Sequence, residues 1–257
     1  MARFSFALAG VSALAIAALP AVAQAQDIAS IHGTIAGQYS NLSVDSLDAD
    51  AWSGDVGVVY NGGMGLGGQA NLGFGTAELD GSEADLRRIG GAVQYRAESF
   101  KLGGGVQYQT IDFRYYSDTN LTSYGLAGEA YLGDTITFAG RGGSFGGEFG
   151  GGKYIGAGAA IYPIPNLAVK GDFDFVDPKW GPSATAFGGA AEFLPMSTIP
   201  VAITGGYRYV DDSGDQIDVW HIGLKAYLGT PGTGTLVDNH RNGALNMGNV
   251  YGTLLGQ

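Results

Sequence analysis

The chain has 257 residues, with 24 Asp or Glu against 13 Lys or Arg and a formal net charge of −11. That acidity argues against nucleic acid as a partner, because nucleic-acid binders carry clustered Lys and Arg. The absence of cysteine excludes a disulfide framework, a thiol nucleophile and a thiolate metal site.

Arg3, the apolar run Phe4 to Leu19, the break at Pro20 and the small-x-small patterns Ala21-Val22-Ala23 and Ala23-Gln24-Ala25 have the layout of a secretory signal peptide, with cleavage expected after Ala25. The apolar run is shorter than the ~20 residues a membrane helix needs, and no later stretch reaches that length. Yet 45% of the chain is hydrophobic and only 14% is charged, where a soluble domain carries about 25% charged residues. A barrel whose lipid-facing side chains alternate with lumen-facing ones resolves the conflict.

From there the periodicity is two, with no helical stripe. Ile31, Gly33, Ile35, Gly37 and Tyr39 alternate with His32, Thr34, Ala36 and Gln38. Trp52, Val56, Val58 and Tyr60 oppose Ser53 and Asp55; Leu66, Ala70, Leu72 and Phe74 oppose Gln69 and Asn71. Ile89, Val93 and Tyr95 oppose Arg88, Gln94 and Arg96; Leu102, Val106 and Tyr108 oppose Lys101, Gln107 and Gln109. Tyr124, Leu126, Ala130 and Leu132 oppose Glu129, and Ile136 and Phe138 oppose Arg141. An eighth segment, Lys153 to Tyr162, is rich in Gly and Ala and leaves its facing open. Leu167, Val169, Phe173 and Phe175 then oppose Lys170, Asp172 and Asp174, and a tenth strand is expected near Thr185 to Phe193. Val201, Ile203, Tyr207 and Tyr209 oppose Thr204 and Arg208, and Trp220, Ile222, Leu224 and Leu228 oppose His221 and Lys225. Twelve strands result, with ten to fourteen compatible with uncertain strand boundaries.

The connections alternate too. Short, nearly uncharged turns (Asn61-Gly62-Gly63, Ala97-Glu98-Ser99, Gly133-Asp134-Thr135, Pro163 to Asn166, Leu194 to Pro200) are expected at the periplasmic end. Longer outer loops are expected around Asp45, Asp48 and Asp50, around Asp80, Glu83 and Asp85, at Asp118, Glu148 and Asp177, and at Asp211, Asp212 and Asp215. Aromatics near strand ends (Trp52, Tyr60, Tyr95, Phe100, Tyr162, Trp180, Phe193, Tyr209, Trp220) fit the two headgroup girdles of a membrane barrel.

The expected lumen is charged. Arg88, Arg96, Lys101, Arg141, Lys170, Arg208 and Lys225 fall on the inward face with Asp55, Glu129, Asp172 and Asp174. A charge facing lipid near the midplane costs ~2–4 kcal/mol, so this segregation supports the register. These residues either line a narrow aqueous pore or pair with one another and close it, since twelve strands fall between filled and freely conducting barrels.

Catalytic and metal chemistry finds little purchase. Gly142-Gly143-Ser144-Phe145-Gly146 matches a serine-hydrolase elbow but lacks the strand-turn-helix setting. His32-Gly33-Thr34 approaches the His-x-Ser pair of barrel lipases with Thr in place of Ser, and three scattered histidines give no zinc spacing. Asp211 to Asp218 lacks the glycine and glutamate of a calcium loop and reads as a solvated acidic segment. No catalytic residue, metal or cofactor is expected.

His221-Ile222-Gly223-Leu224-Lys225-Ala226-Tyr227-Leu228 resembles the assembly signal in the last strand of bacterial outer-membrane β-barrel (porin-like) proteins, although here the sequence runs on to Gln257. The resemblance is architectural and spans roughly residues 26 to 228. It implies an all-β, transmembrane, antiparallel up-and-down β-barrel in the bacterial outer membrane, in contact with outer-membrane lipids and with the barrel-assembly machinery.

The expected organisation is a signal peptide (1–25), a barrel (26–229) and a polar C-terminal tail (230–257). The expected activity is passive diffusion of small hydrophilic solutes or ions, with inward basic residues setting selectivity. A closed structural or surface-interaction barrel is the alternative, and a lipid-modifying enzyme comes third. Gly229 to Thr235 reads as a Gly- and Pro-rich linker. The tail beyond it lacks strand alternation, so it is expected to hang into the periplasm, the alternative being that it folds back into the lumen.

Overall fold

The computed structural model describes residues 30–44, 47–79, 82–113, 118–148, 150–196, 198–212, 215–229 and 234–248; the expected signal peptide lies outside them. Twelve antiparallel strands close into one barrel. In chain order they are β1 (Ser30–Val44), β2 (Leu47–Asn61), β3 (Leu66–Leu79), β4 (Ser82–Arg96), β5 (Phe100–Phe113) and β6 (Thr119–Leu132). The second half comprises β7 (Ile136–Gly147), β8 (Gly150–Ile164), β9 (Leu167–Pro178), β10 (Ala184–Phe193), β11 (Val201–Asp212) and β12 (Asp215–Leu228). Each strand pairs with its sequence neighbours, and β1 closes on β12 from Gly33↔Leu228 to Val44↔Ile217. No edge is left, which is the condition for strands in hydrocarbon, where an unpaired backbone group finds no water.

The outward face is apolar. Val58, Leu72, Ile89, Val93, Leu102, Val106, Leu126, Phe138, Ile155, Val169, Ile203, Ile222 and Leu224 are all exposed. In water so continuous an apolar surface would drive aggregation; around a barrel it is the lipid-facing belt. Tyr60, Tyr95 and Phe193 lie toward one rim of that belt and Trp52, Tyr124 and Trp220 toward the other, all exposed. Tyr162, expected in the girdle, is instead buried and faces inward. The eighth strand, whose facing the sequence left open, turns Ile155 and Ile161 outward and so brings Tyr154 and Tyr162 into the barrel.

The expected long acidic loops are largely strand. Only residues 45–46, 80–81 and 213–214 separate β1 from β2, β3 from β4 and β11 from β12. Strands of 14 or 15 residues exceed the 9–11 that cross a bilayer, so their acidic ends project beyond the apolar belt. There Glu78 stands opposite Glu83, and Asp85 opposite Asp112. The carboxyl of Asp118, just before β6, is pushed up by the neighbouring charge of Asp112. Like charges placed opposite one another oppose pairing, so this rim is a local concentration of negative potential.

At the other rim the β2–β3 turn is held by Gly65, whose φ of +79° suits glycine. A Cβ there would lie 2.3 Å from the Arg96 carbonyl oxygen. Gly65→Val is therefore expected to destabilise the barrel by about 1–3 kcal/mol, read as a lower midpoint of the heat-dependent gel shift. An unchanged midpoint would show that the turn relaxes freely.

Candidate functional site in the barrel lumen

The eleven charged residues expected on the inward face all lie there, and the register explains how they meet. Asp55 on β2, Gly73 on β3 and Arg88 on β4 form one transverse row. Arg141, Gly156 and Asp174 form a second, and Asp172, Gly188 and Arg208 a third. In each row an arginine and an aspartate two strands apart pair over an intervening glycine. Any larger residue would obstruct the bridge: a Cβ at Gly73, Gly156 or Gly188 would lie 2.6, 2.1 or 2.6 Å from the aspartate oxygen. Gly73, Gly156 and Gly188 thus provide room for charges to reach across about two strand spacings of 4.8 Å.

The central cluster is the densest. Asp174 is buried and accepts from Arg141 through Nε at 2.9 Å and Nη2 at 2.6 Å. It also accepts from Arg208 Nη2 at 2.6 Å, while Arg208 Nη1 reaches Asp172 at 2.6 Å. Lower in the barrel Lys101, fully buried, pairs with Glu129 at 3.1 Å, and Lys170 pairs with Glu192 at 2.5 Å. Arg96 and Lys225 make no ion pair among the described residues; Arg96 donates to Asn242, and Lys225 lies over the Tyr227 ring, 4.9 Å from its centroid. Glu192, an essential partner here, escaped the sequence reading because it is the one acid of an Ala- and Gly-rich strand.

The tail does not hang free. Residues 234–248 enter the lumen at the short-turn end, and α1 (Leu236–Asn242) is the helix they form. Thr235 Oγ1 accepts from the Asp238 amide at 3.2 Å and the Asp238 carboxylate accepts from the Thr235 amide at 3.2 Å, a reciprocal cap. Leu236 and Val237 are buried with Tyr162, Ala168, Leu194, Ala202 and Tyr227. This apolar contact, together with wall donors matched to tail carbonyls, is why the tail prefers the lumen to water. Lys101 Nζ donates to the carbonyl of Gly243 at 2.9 Å, and Gln69 both donates to Leu245 O at 2.9 Å and accepts from Leu245 N at 2.7 Å. Tyr154 OH donates to Met247 O at 2.9 Å.

His240 anchors the helix. Its Nδ1 meets Tyr162 OH at 2.9 Å, and its Nε2 lies 3.1 Å from Glu192, 3.0 Å from Tyr227 OH and 3.4 Å from Lys170 Nζ. Burial, and next the Lys170 charge, pull this imidazole down to about 3, so it is neutral near pH 7. The sequence did carry a signal for α1, in Thr235 followed three residues later by Asp238 and then by Gly243 just past the helix.

Above the tail lies a cavity of about 440 Å³, bounded by both walls and by Ala244 to Gly248. Beyond it, toward the acidic rim, the inward face turns apolar: Leu86, Ile111, Leu121, Phe145, Tyr154 and Val176 pack together, as do Leu42, Ala49, Ala51 and Val219. This layer leaves no signal in the sequence, because strands with apolar residues on both faces lose their alternation.

A closed, edge-free barrel with an apolar exterior and a polar, ion-paired interior is a transmembrane β-barrel of the outer-membrane kind. Solved structures with the same fold include an outer membrane channel from Pseudomonas putida F1, with a TM-score of 0.59, 11% identity, and 81% of this chain and 99% of that chain covered. The KdgM porin matches with a TM-score of 0.52, 10% identity, and 74% and 98% covered. The translocator domain of autotransporter NalP from Neisseria meningitidis matches with a TM-score of 0.50, 12% identity, and 86% and 96% covered. No protein-family profile matches the sequence, and no curated protein matches it. At these identities the likeness is one of fold, and the fold serves a channel, a porin and a translocator alike.

Proposed function

We propose that the protein is a narrow channel of the bacterial outer membrane for small hydrophilic solutes, restricted at its periplasmic mouth by its own C-terminal segment. The observation that carries this reading is the 440 Å³ cavity, which lies in the lumen, is lined by Asp55, Arg88, Lys170, Glu192 and Lys225 among smaller apolar residues, and has the tail as its floor. An interior meant only for structure has no need of such a volume. The short-turn end, which also holds Ser30, Leu228 and α1, is assigned to the periplasm and the acidic strand extensions to the outer face, by the usual asymmetry of short periplasmic turns. Fold-level similarity to a porin and an outer membrane channel supports the same reading, as does the resemblance of the last strand to the outer-membrane assembly signal.

The second reading, a closed structural barrel, rests on the ion pairs that neutralise most lumenal charge and on the apolar layer near the outer rim. Planar-bilayer recording separates the two. Discrete conductance steps are expected of the channel; persistent silence of correctly assembled protein would favour the closed barrel. In a conducting protein Lys225, which makes no direct ion pair among the described residues, is the cleanest selectivity probe. Lys225→Glu is expected to move the reversal potential toward cations, since pore charges act at close range. An unmoved potential would remove Lys225 from the conducting path.

A further inference from the structure

Three residues of α1 carry or can take a charge. Asp238 caps its own helix and Arg241 pairs with Asp134 at the rim, whereas His240 is set into the wall, with 13% of its side chain exposed. Around its ring stand Tyr162 from β8, Lys170 from β9, Glu192 from β10, and Tyr227 and Lys225 from β12. β11 adds only Ala202 to the apolar packing at this end. Glu129 on β6 is engaged by Lys101 and Tyr131, and His32 on β1 lies beside Tyr227 in the lining of a small cavity against Asn239.

The hydrogen bonds fix the state of the ring. Both oxygens of Glu192 are engaged: one accepts from Tyr227 OH, the other from Lys170 Nζ at 2.5 Å and from His240 Nε2 at 3.1 Å. The single proton of the neutral imidazole therefore sits on Nε2, and Nδ1 accepts from Tyr162 OH at 2.9 Å. Two ammoniums, Lys170 and Lys225, already share the one carboxylate. A second ring proton, on Nδ1, would displace the hydrogen that Tyr162 donates and add a third cation to a cluster with a single anion. An undocked tail carries the same ring in water, where a proton is accepted freely.

We infer that His240 is an acid-sensitive latch, whose protonation releases α1 from the periplasmic mouth and opens the lumen. The inference rests on the channel reading only for its effect on permeation; release of the tail follows from the cluster alone. The sign follows from the two states. The docked ring takes up a proton only near pH 3, and a free ring does so near 6.5. Docking is thus at full strength above about pH 6.5 and weakens about tenfold for each unit by which pH falls from there toward 3. Between pH 7.5 and 5.0 the ratio of undocked to docked tail is expected to rise about 30-fold.

The test uses the full-length, detergent-solubilised barrel with a single thiol placed at Leu245, a buried tail residue in a chain without cysteine. Labelling of Leu245→Cys by a water-soluble maleimide tracks the undocked population when reclosing outpaces reaction. Dividing each rate by that of the same chain in denaturant removes the thiol's own pH dependence. The corrected rate is expected to rise about 30-fold from pH 7.5 to 5.0 with His240 present, and less than threefold with His240→Gln. Lys170→Met, which frees one Glu192 oxygen to receive a charged ring, is expected to cut the rise at least fivefold. The heat-modifiable gel shift establishes that each variant is folded. A flat response in the parent barrel, an acid response that survives His240→Gln (which would move the sensor to His32 or a wall carboxylate), or a response indifferent to Lys170→Met would each overturn the latch. Labelling needs no current, so the two proposals fail separately. A tail released by acid without a change in conductance loses the channel reading, and a barrel that truncation opens but whose tail ignores acid loses the latch.

Discussion

A chain ended after Gly229 is expected to insert, to show the gel shift of a closed barrel, and to conduct several-fold better than the full-length protein. The β1–β12 pairing that closes the barrel ends at Leu228, so no ladder is lost with the tail. What is lost is the floor of the lumen: α1, the carbonyls held by Lys101, Gln69 and Tyr154, and the apolar contact of Leu236 and Val237. Their wall partners become exposed to water, which satisfies the polar ones and penalises Leu194, Ala202 and Tyr227 only modestly. Bilayer recording and sugar-driven liposome swelling measure the outcome. Unchanged conductance in an assembled truncation would show that the constriction lies elsewhere, with the apolar layer around Leu86 and Phe145 the next to examine. Failure to assemble would show that barrel closure requires the tail.

The largest single-residue effect is expected at Asp174. Its carboxylate is buried and holds both Arg141 and Arg208. Asp174→Ala leaves two guanidiniums facing each other, with only Asp172 to share, at 2.6 Å from Arg208 and 3.9 Å from Arg141. Removing one partner of a buried pair costs about 3–5 kcal/mol, because the remaining charge stays desolvated. Urea unfolding in lipid vesicles should show that loss, with Asp174→Asn, which keeps acceptor geometry without the charge, falling between mutant and wild type. A loss below about 1 kcal/mol, the range of exposed pairs, would mean that water reaches the cluster freely.

Most of the barrel was legible because lipid imposes a strict rule on one face. On β9, Leu167, Val169, Phe173 and Phe175 could not exchange places with Lys170, Asp172 and Asp174 without moving charge into hydrocarbon, so the alternation survives intact. Where that rule acts on one face and packing acts on the other, the signal fades. Leu86, Ile111, Leu121 and Val176 face inward yet are apolar, and nothing in their sequence separates them from lipid-facing neighbours. The pairing of Arg88 with Asp55 was equally hidden, because it depends on three strands in register and on a glycine between them. The tail was misplaced for another reason. Its anchors are mostly backbone carbonyls, at Gly243, Leu245 and Met247, and a carbonyl is the same in every residue.

Because tail and wall belong to one polypeptide, occupancy of the lumen is an intramolecular equilibrium with a stoichiometry of one, indifferent to expression level or dilution. Gly229, whose φ of +89° turns the chain just beyond β12, tethers the tail at the mouth it fills. A tether this short holds the tail at an effective concentration in the millimolar range or above. Each 1.4 kcal/mol removed from its docking multiplies the undocked fraction tenfold. The population of open barrels can therefore be tuned over decades by single contacts on α1, with the transmembrane wall left untouched.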